Sequence, residues 1–355
     1  MLSFITEKKS VWENLKVAAK PIVLYGMGNG AERILAKCAQ EGISISGIFA
    51  SDEFVRGQSF GGFVVNKYQE LVAHLGDFVV VIAFASELPE LLHKFQNLAQ
   101  KHETYAPHVE LFAGDELVSP AWLEKYATQL QLVYDKLADD WSRLVFADIL
   151  NYKISGKLAY LFAHTTNRKQ DLQQLFTWGR RESYADLGAY NGDTIKEFLA
   201  LTAGSYAQIY ALEPDRKNFI KLANFVQQQH LAHCTLCAKA SGDKAGTKAF
   251  WQKGGRMSAL GEGGPNLVPV AAVDDLGAQQ FTYIKMDVEG AEAATLAGAE
   301  KTIKRCKPKL LMAAYHHDAD LWRLPLMVWN LRPDYQVFLR RHPYVPCWEI
   351  NIFAT

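Results

Sequence analysis

The chain has 355 residues, 49% of them hydrophobic and 21% charged, with 38 basic and 38 acidic side chains. That length and composition fit a globular protein of about two domains. A net charge of zero removes the basic footprint of a nucleic-acid binder, and no apolar run reaches the roughly 20 residues of a membrane span. The mixed, charged start Met1–Ser10 lacks the apolar core of a secretory signal, so a cytoplasmic protein is the expectation. Five cysteines at irregular spacing argue against a disulfide framework. Cys234 and Cys237 form a lone C-x-x-C with no second pair to complete a zinc site.

Residues 1–115 read as an α/β domain. Pro21–Tyr25 is a short strand ending in Gly26-Met27-Gly28-Asn29-Gly30, and Ile34, Leu35 and Cys38 follow at helical spacing. Ile43–Ala50 reads as a second strand. Phe78–Phe84 is a near-continuous apolar run, as in a parallel strand buried on both faces, and Leu88–Gln100 is the helix after it. The glycines fit G-x-G-x-x-A between a strand and a helix, and Asp52 lies about twenty positions further on, where a ribose-binding acid is expected. Gly26, Gly28, Gly30 and Asp52 are therefore a candidate loop for a nucleotide or nucleotide sugar. The competing reading is a tight turn in a scaffold, because the module lacks the second half of a dinucleotide fold.

Residues 116–178 carry no strand signal. Ser119-Pro120 starts a helix, with serine as cap and proline in the first position, and Leu123, Tyr126, Leu130, Val133 and Leu137 follow at three- and four-residue steps. Leu144–Tyr152 continues the pattern, so this stretch reads as a helical connector.

Residues 179–355 alternate again. Strands are expected at Ser183–Ala189, Gln208–Pro214, Cys234–Ala240, Tyr283–Val288 and Lys309–Tyr315, with helices at Thr194–Ala203, Asp215–Gln229 and Ala291–Arg305. Such alternation implies a parallel sheet. Tyr335–Arg341 and Glu349–Ala354 are separated by too short a loop for a crossover helix, so the last pair should be antiparallel. A parallel sheet closed by an antiparallel hairpin is the architecture of class I methyltransferases. A dinucleotide-binding domain would need a crossover helix there.

Asp186-Leu187-Gly188-Ala189-Tyr190-Asn191-Gly192-Asp193-Thr194 follows a strand and opens a helix. Thr194 with Glu197 reads as a capping box, and the glycines let backbone approach a ligand. For a methyl donor, Asp186 would face the amino group of the methionine part. Gly188, Ala189, Tyr190, Asn191, Gly192 and Thr194 would form the turn around it. No pyrophosphate needs cradling, which suits Tyr190 at the middle position. Glu213 ends the second strand, where an acid accepts ribose hydroxyls, and Ser241 follows the third, where the adenine edge lies. Glu213 could equally be a helix-start acid.

These residues resemble the FkbM-type methyltransferases. The likeness runs from Asp186 to the end of the chain. It is carried by Ile284-Lys285-Met286-Asp287-Val288-Glu289-Gly290-Ala291-Glu292 with Leu296 and Gly298-Ala299. Tyr315-His316-His317, Asp320-Leu321-Trp322 and Leu324-Pro325 also contribute, as do Ser258 with Leu260 and Val273-Asp274-Asp275-Leu276. Leu137-Ala138-Asp139-Asp140 and Asn151-Tyr152 resemble the helical lead-in of longer members. The resemblance implies S-adenosylmethionine-dependent O-methylation, often of a sugar or other hydroxylated natural product.

Methyl transfer is an in-line displacement in which the protein aligns acceptor and methyl and helps remove a proton. Asp287 and His316, at the ends of the fourth and fifth strands, are the candidate catalytic pair. Asp193, Arg256, Glu289 and His317 are candidates for holding the acceptor, with Arg256 suited to an anionic group. Glu289 and Glu292 could instead be helix-start acids. No metal is assigned, although Asp287, His316 and Asp320 have suitable ligand types for a divalent ion. Two other functions compete. One is an NAD-dependent oxidoreductase, or a nucleotide-sugar binder, working through the N-terminal module. The other is an inactive methyltransferase-like assembly subunit.

Overall fold

The computed structural model describes residues 2–112, 114–251, 259–260, 264–277 and 280–355. It divides into two compact units. The first comprises Met1–Asp135, Asp140–Thr166 and Arg341–Glu349, and the second Lys136–Asp139, Asn167–Arg340 and Ile350–Thr355. The stretch 116–178 is thus shared between them. Its longest helix, Asp140–Ser155, has Val145, Phe146, Ile149, Leu150 and Tyr152 fully buried, which makes it core of the first unit.

In the first unit the strands are β1 (Ile22–Tyr25), β2 (Gly47–Ala50), β3 (Ser59–Phe60), β4 (Phe63–Lys67), β5 (Val79–Ile82) and β6 (Thr104–Tyr105), in the order β3-β4-β2-β1-β5-β6. All neighbours run parallel except β3 and β4. Strands β1 and β5 are buried along their whole length, as their unbroken apolar sequences require. Leu24, Val79 and Val81 pack with Ala31, Ile34 and Cys38 of the helix Asn29–Glu41. Ser119 caps the helix Pro120–Lys125, its Oγ accepting the Trp122 amide at 3.2 Å. Asn151 fastens the N-terminal segment to the long helix: Oδ1 accepts the Thr6 amide at 2.8 Å and Nδ2 donates to Phe4 O at 2.9 Å.

The second unit is built on β7 (Ser183–Leu187), β8 (Gln208–Leu212), β9 (Cys234–Cys237), β14 (Tyr283–Met286), β15 (Lys309–Ala313), β16 (Val337–Arg341) and β17 (Ile350–Ala354). Their order is β16-β17-β15-β14-β7-β8-β9. The five strands β7, β8, β9, β14 and β15 are parallel, and β17 runs antiparallel to β15. Lys285 of β14 stands in register with Asp186 of β7. A second sheet of β10 (Ala240–Ser241), β11 (Gly246–Trp251), β12 (Ala259–Leu260) and β13 (Asn266–Ala271) was not foreseen.

Three local expectations change. The strand expected over Cys234–Ala240 stops at Cys237, where the Lys239 amide turns back to Cys237 O at 2.8 Å. Ala240–Ser241 then pairs with β13. The helix expected over Ala291–Arg305 is two helices, Glu292–Ala297 and Glu300–Cys306. At the break a Cβ on Gly298 would lie 2.0 Å from Gly242 O, and the Asp274 carboxylate receives the Lys301 and Thr302 amides at 2.9 and 2.8 Å. Thr194 and Glu197 form no capping box. The cap of helix Asp193–Leu201 is Gly192, and Glu197 pairs with Arg168 at 3.0 Å.

Candidate active site

The turn after β7 is forced by two close approaches. Gly188 has φ 80°, and a Cβ there would stand 1.9 Å from the Asp287 carbonyl at the end of β14. Gly192 has φ 92°, and a Cβ there would meet the Phe225 ring at 2.5 Å. Only glycine satisfies both geometry and space at these positions. Between them, the Gly188 and Ala189 amides donate to Leu212 O at 3.0 and 2.9 Å, so the turn is sewn to the end of β8. Tyr190 adopts φ 46°, an uncommon conformation for a residue with a side chain. Asn191 Oδ1 accepts the Asp193 amide at 3.2 Å, and exposed Asp193 accepts the Thr194 amide at 2.8 Å.

Asp186 sits at the floor of this turn with no exposed surface. Thr194 Oγ1 donates to its Oδ2 at 2.5 Å. Oδ1 has no hydrogen-bond partner, and the Lys285 ammonium lies 3.4 Å from it. Lys285 is itself buried and donates to Gly188 O at 2.7 Å. Burial raises the Asp186 pKa against the pull of Lys285 and Thr194. Burial works against the Lys285 charge too, but the carboxylates of Asp186, Asp287 and Asp193 outweigh it and the ammonium is held charged. Lys285 is a further site residue, one that the sequence pattern does not single out. Its only signal is a lone charge inside an otherwise apolar strand.

Glu213 follows β8 and is nearly buried. Its Oε2 accepts the Tyr190 amide at 2.9 Å and its Oε1 the Asp215 amide at 2.8 Å. Burial nevertheless pushes its pKa up to about 7, these hydrogen bonds acting in the opposite sense. The helix-start reading passes to Asp215, whose Oδ1 caps helix Arg216–Gln228 through the Lys217 and Asn218 amides. Ser241 lies elsewhere, in the small sheet, with its hydroxyl 2.7 Å from Thr295 Oγ1. The carboxyl end of β9 presents Cys237 and Ala238 in the place expected for it.

A second polar cluster forms where β14 and β15 end. His316 is almost completely enclosed, with Nδ1 2.9 Å from Glu292 Oε1. Its Nε2 faces Glu289 Oε2 at 3.4 Å and Asp287 Oδ1 at 3.8 Å. Burial disfavours the imidazolium, but Glu292 and Glu289 outweigh burial and raise the His316 pKa well above its ordinary value. Burial raises Glu289. Tyr315 donates to Asp287 Oδ1 at 3.2 Å. Glu292 opens a helix as the sequence suggests, yet its side chain is fully buried against His316 and the Val288 amide at 2.9 Å. His317 turns away, its Nε2 3.1 Å from Gly290 O. Asp320 is engaged by Arg323 at 2.5 Å and by the His317 amide at 3.3 Å. It stands outside the group Asp287, Glu289 and His316, whose ligand atoms lie within 4.8 Å of one another. Arg256 and Ser258 lie outside the described residues.

In the first unit, Gly26 has φ 118° and Gly30 lies against Ala83 O, where a Cβ would come within 2.4 Å. Gly28, φ 112°, caps helix Asn29–Glu41 with open space above it. Asp52 is exposed in a short 3₁₀ turn after β2.

Residues 186–337 match the family model described as the methyltransferase FkbM domain. No curated protein matches the chain. Methyltransferase FkbM from Methylobacillus flagellatus KT superimposes with a TM-score of 0.75 at 21% identity, over 99% of this chain and 95% of that one, which shows the shared fold. An rRNA methylase from Streptococcus thermophilus covers 52% of this chain and 92% of its own at 12% identity with a TM-score of 0.34. A precorrin-6y C5,15-methyltransferase from Geobacter metallireducens GS-15 covers 54% and 91% at 11% with a TM-score of 0.35. The strand order, the glycine turn and the family match together identify residues 186–337 as a methyltransferase FkbM domain.

Proposed function

We propose that this domain transfers a methyl group from S-adenosylmethionine to a hydroxyl oxygen on a sugar, glycan precursor or other hydroxylated natural product. The observation that carries this reading is the pair of buried acids on neighbouring strands beside the glycine turn. Asp186 keeps one carboxylate oxygen without a hydrogen-bond partner, and Glu213 stands at the tip of β8. Both suit the donor. Asp186 faces an amino group and Glu213 accepts ribose hydroxyls, while Gly188, Ala189, Tyr190, Asn191, Gly192 and Thr194 shape the turn between them. Ala238 is the better neighbour for the adenine edge, since Ser241 is committed to Thr295. The donor supplies an electrophilic methyl on a sulfonium.

Asp287 is the base in this reading. It is the most exposed acid of its cluster, and Tyr315 fixes one of its oxygens. The acceptor oxygen bonds to the methyl carbon as the carbon–sulfur bond breaks, sulfur keeps the electron pair, and the hydroxyl proton passes to Asp287. His316, held charged by Glu292 and Glu289, cannot take that proton and instead orients the carboxylates around it. Asp193, Glu289, His317 and Arg256 remain the candidates for contacting the acceptor.

The test is transfer of labelled methyl to a panel of sugars and nucleotide sugars, with a thermal-shift panel of S-adenosylmethionine, its demethylated product, NAD and nucleotides. Stabilisation by the first two is expected from binding to the folded state. Stabilisation by NAD alone would favour an oxidoreductase. Binding of the donor without transfer to any acceptor would favour an assembly subunit. A second ligand reading rests on Gly28, which caps its helix without any side-chain hydrogen bond and has open space above it, a helix start that would suit a nucleotide or nucleotide sugar. The nucleotide arm of the same panel checks it.

A further inference from the structure

We infer that Asp287, Glu289 and His316 form a binding site for a divalent cation of the Mg²⁺ or Mn²⁺ class. The cation would hold the acceptor hydroxyl. Three features of the cluster carry this. The first is spacing: the three ligand atoms lie within 4.8 Å of one another, with Nε2 of His316 3.4 Å from Glu289 Oε2 and 3.8 Å from Asp287 Oδ1. Neighbouring ligands on an octahedral ion stand about 3 Å apart, so small side-chain rotations close the set.

The second feature is orientation. Glu292, with no exposed surface, holds His316 Nδ1 at 2.9 Å, and is itself held by the Val288 amide at 2.9 Å. A carboxylate behind the far nitrogen of a histidine is the arrangement that aims the near nitrogen at a metal. Here the near nitrogen is Nε2, which faces the two carboxylates and releases its proton to solvent when the dication takes its place. Glu289 has a left-handed backbone, φ 53°, and is followed by Gly290 at φ 94°; its Oε2 lies 3.4 Å from His316 Nε2.

The third feature is charge. Three carboxylates converge on one imidazole, an excess of negative charge that a dication would offset. One nitrogen and two carboxylate oxygens are a hard donor set, suited to Mg²⁺ or Mn²⁺ rather than to a thiophilic ion. They leave positions for water and for the acceptor oxygen. Bound there, the cation lowers the pKa of the acceptor hydroxyl. The bond changes are those already described, with the proton passing to the Asp287 oxygen that does not ligate. The role assigned to the cation rests on the methyltransferase reading, but its binding does not.

The test uses the full chain freed of metal with EDTA and titrated with Mn²⁺, read by loss of the free-ion electron paramagnetic resonance signal. One Mn²⁺ per chain is expected. Glu289→Gln and His316→Gln should each weaken uptake by about tenfold or more. Glu300→Gln, on an exposed pair with Lys304, should leave uptake unchanged. Thermal denaturation and S-adenosylhomocysteine affinity, measured on the same samples, show that the variants are folded. No stoichiometric uptake by the unaltered protein, or equal uptake by it and both variants, overturns the cation site. If S-adenosylhomocysteine binds without Mn²⁺ uptake, only the cation falls. If Mn²⁺ is taken up without S-adenosylhomocysteine binding, the cation stands and the methyl-donor reading falls.

Discussion

The two units begin with the same device and surround it differently. Each has a glycine turn between a central parallel strand and a helix, with positive φ at Gly26 and Gly28 in one and at Gly188 and Gly192 in the other. In the first unit the surroundings are aromatic. A Cβ on Gly26 would meet the Phe84 ring at 2.4 Å, and Tyr25 stacks on Phe49 and meets Phe84 and Phe95 edge-on. The polar groups near that ring satisfy one another, with Ser51 2.8 Å from the Tyr25 hydroxyl and 2.9 Å from the Lys94 ammonium. In the second unit ionisable groups converge: Asp186, Lys285 and Glu213 beside the turn, then Asp287, Glu289, Glu292 and His316 around it. A glycine turn reports where the chain must pass closely. Buried charge costs stability unless it is paired, so a convergence of buried ionisable groups points to chemistry.

The sharpest way to break the comparison is Asp287→Asn, which should slow turnover by about 10²- to 10⁴-fold while leaving S-adenosylhomocysteine affinity unchanged. An unaltered rate would remove Asp287 from the mechanism. Next comes Lys285→Met. It leaves the buried Asp186 carboxylate without its counter-charge and should cost about 3–5 kcal/mol in chemical denaturation. Adding Asp186→Asn should recover most of that loss. A double variant no more stable than the single one would mean that the pair is not coupled.

Glu213→Gln should weaken S-adenosylhomocysteine binding by about 1–3 kcal/mol by calorimetry. Burial holds the Glu213 carboxyl at about 7, above its ordinary range, so the ionised form needed by ribose hydroxyls appears as pH rises through about 7. Affinity should climb over that interval, and Glu213→Gln should flatten the rise. Without ligand the sign reverses. The folded state keeps a proton that the unfolded chain has already released, so stability falls as pH rises from the ordinary carboxyl range to about 7. The smallest effect is Asp52→Ala in the first unit, which should leave the melting temperature and donor affinity unchanged within error. A marked loss of nucleotide stabilisation in that variant would restore the first turn as a ligand site.

The parallel core was legible because β1, β5 and β15 are short, mostly apolar runs and β7 and β14 differ from that pattern mainly at Asp186 and Lys285, a pattern set by burial on both faces. The short Pro-containing loop sets Tyr335–Arg341 beside Glu349–Ala354 as neighbouring strands β16 and β17, and β17 runs antiparallel to β15. The small sheet was not legible, because β11 and the start of β13 are mostly exposed and carry no period. The position of Ser241 was missed for the same reason. Thr194 was misread as part of a capping box because its partner, Asp186, lies on the preceding strand. Lys285 and Glu292 were each explicable locally, as a strand residue and a helix-start acid. Their roles appear only when the sheet sets Lys285 beside Asp186 and β15 delivers His316 to Glu292.

The central claim is that a methyl donor sits between Asp186 and Glu213. Its most direct measurement is the structure of the protein soaked with S-adenosylhomocysteine. Density along residues 188–192 is expected, with both ribose hydroxyls on Glu213. Density at the turn of residues 26–30, or none beside Glu213 at saturating ligand, would contradict it.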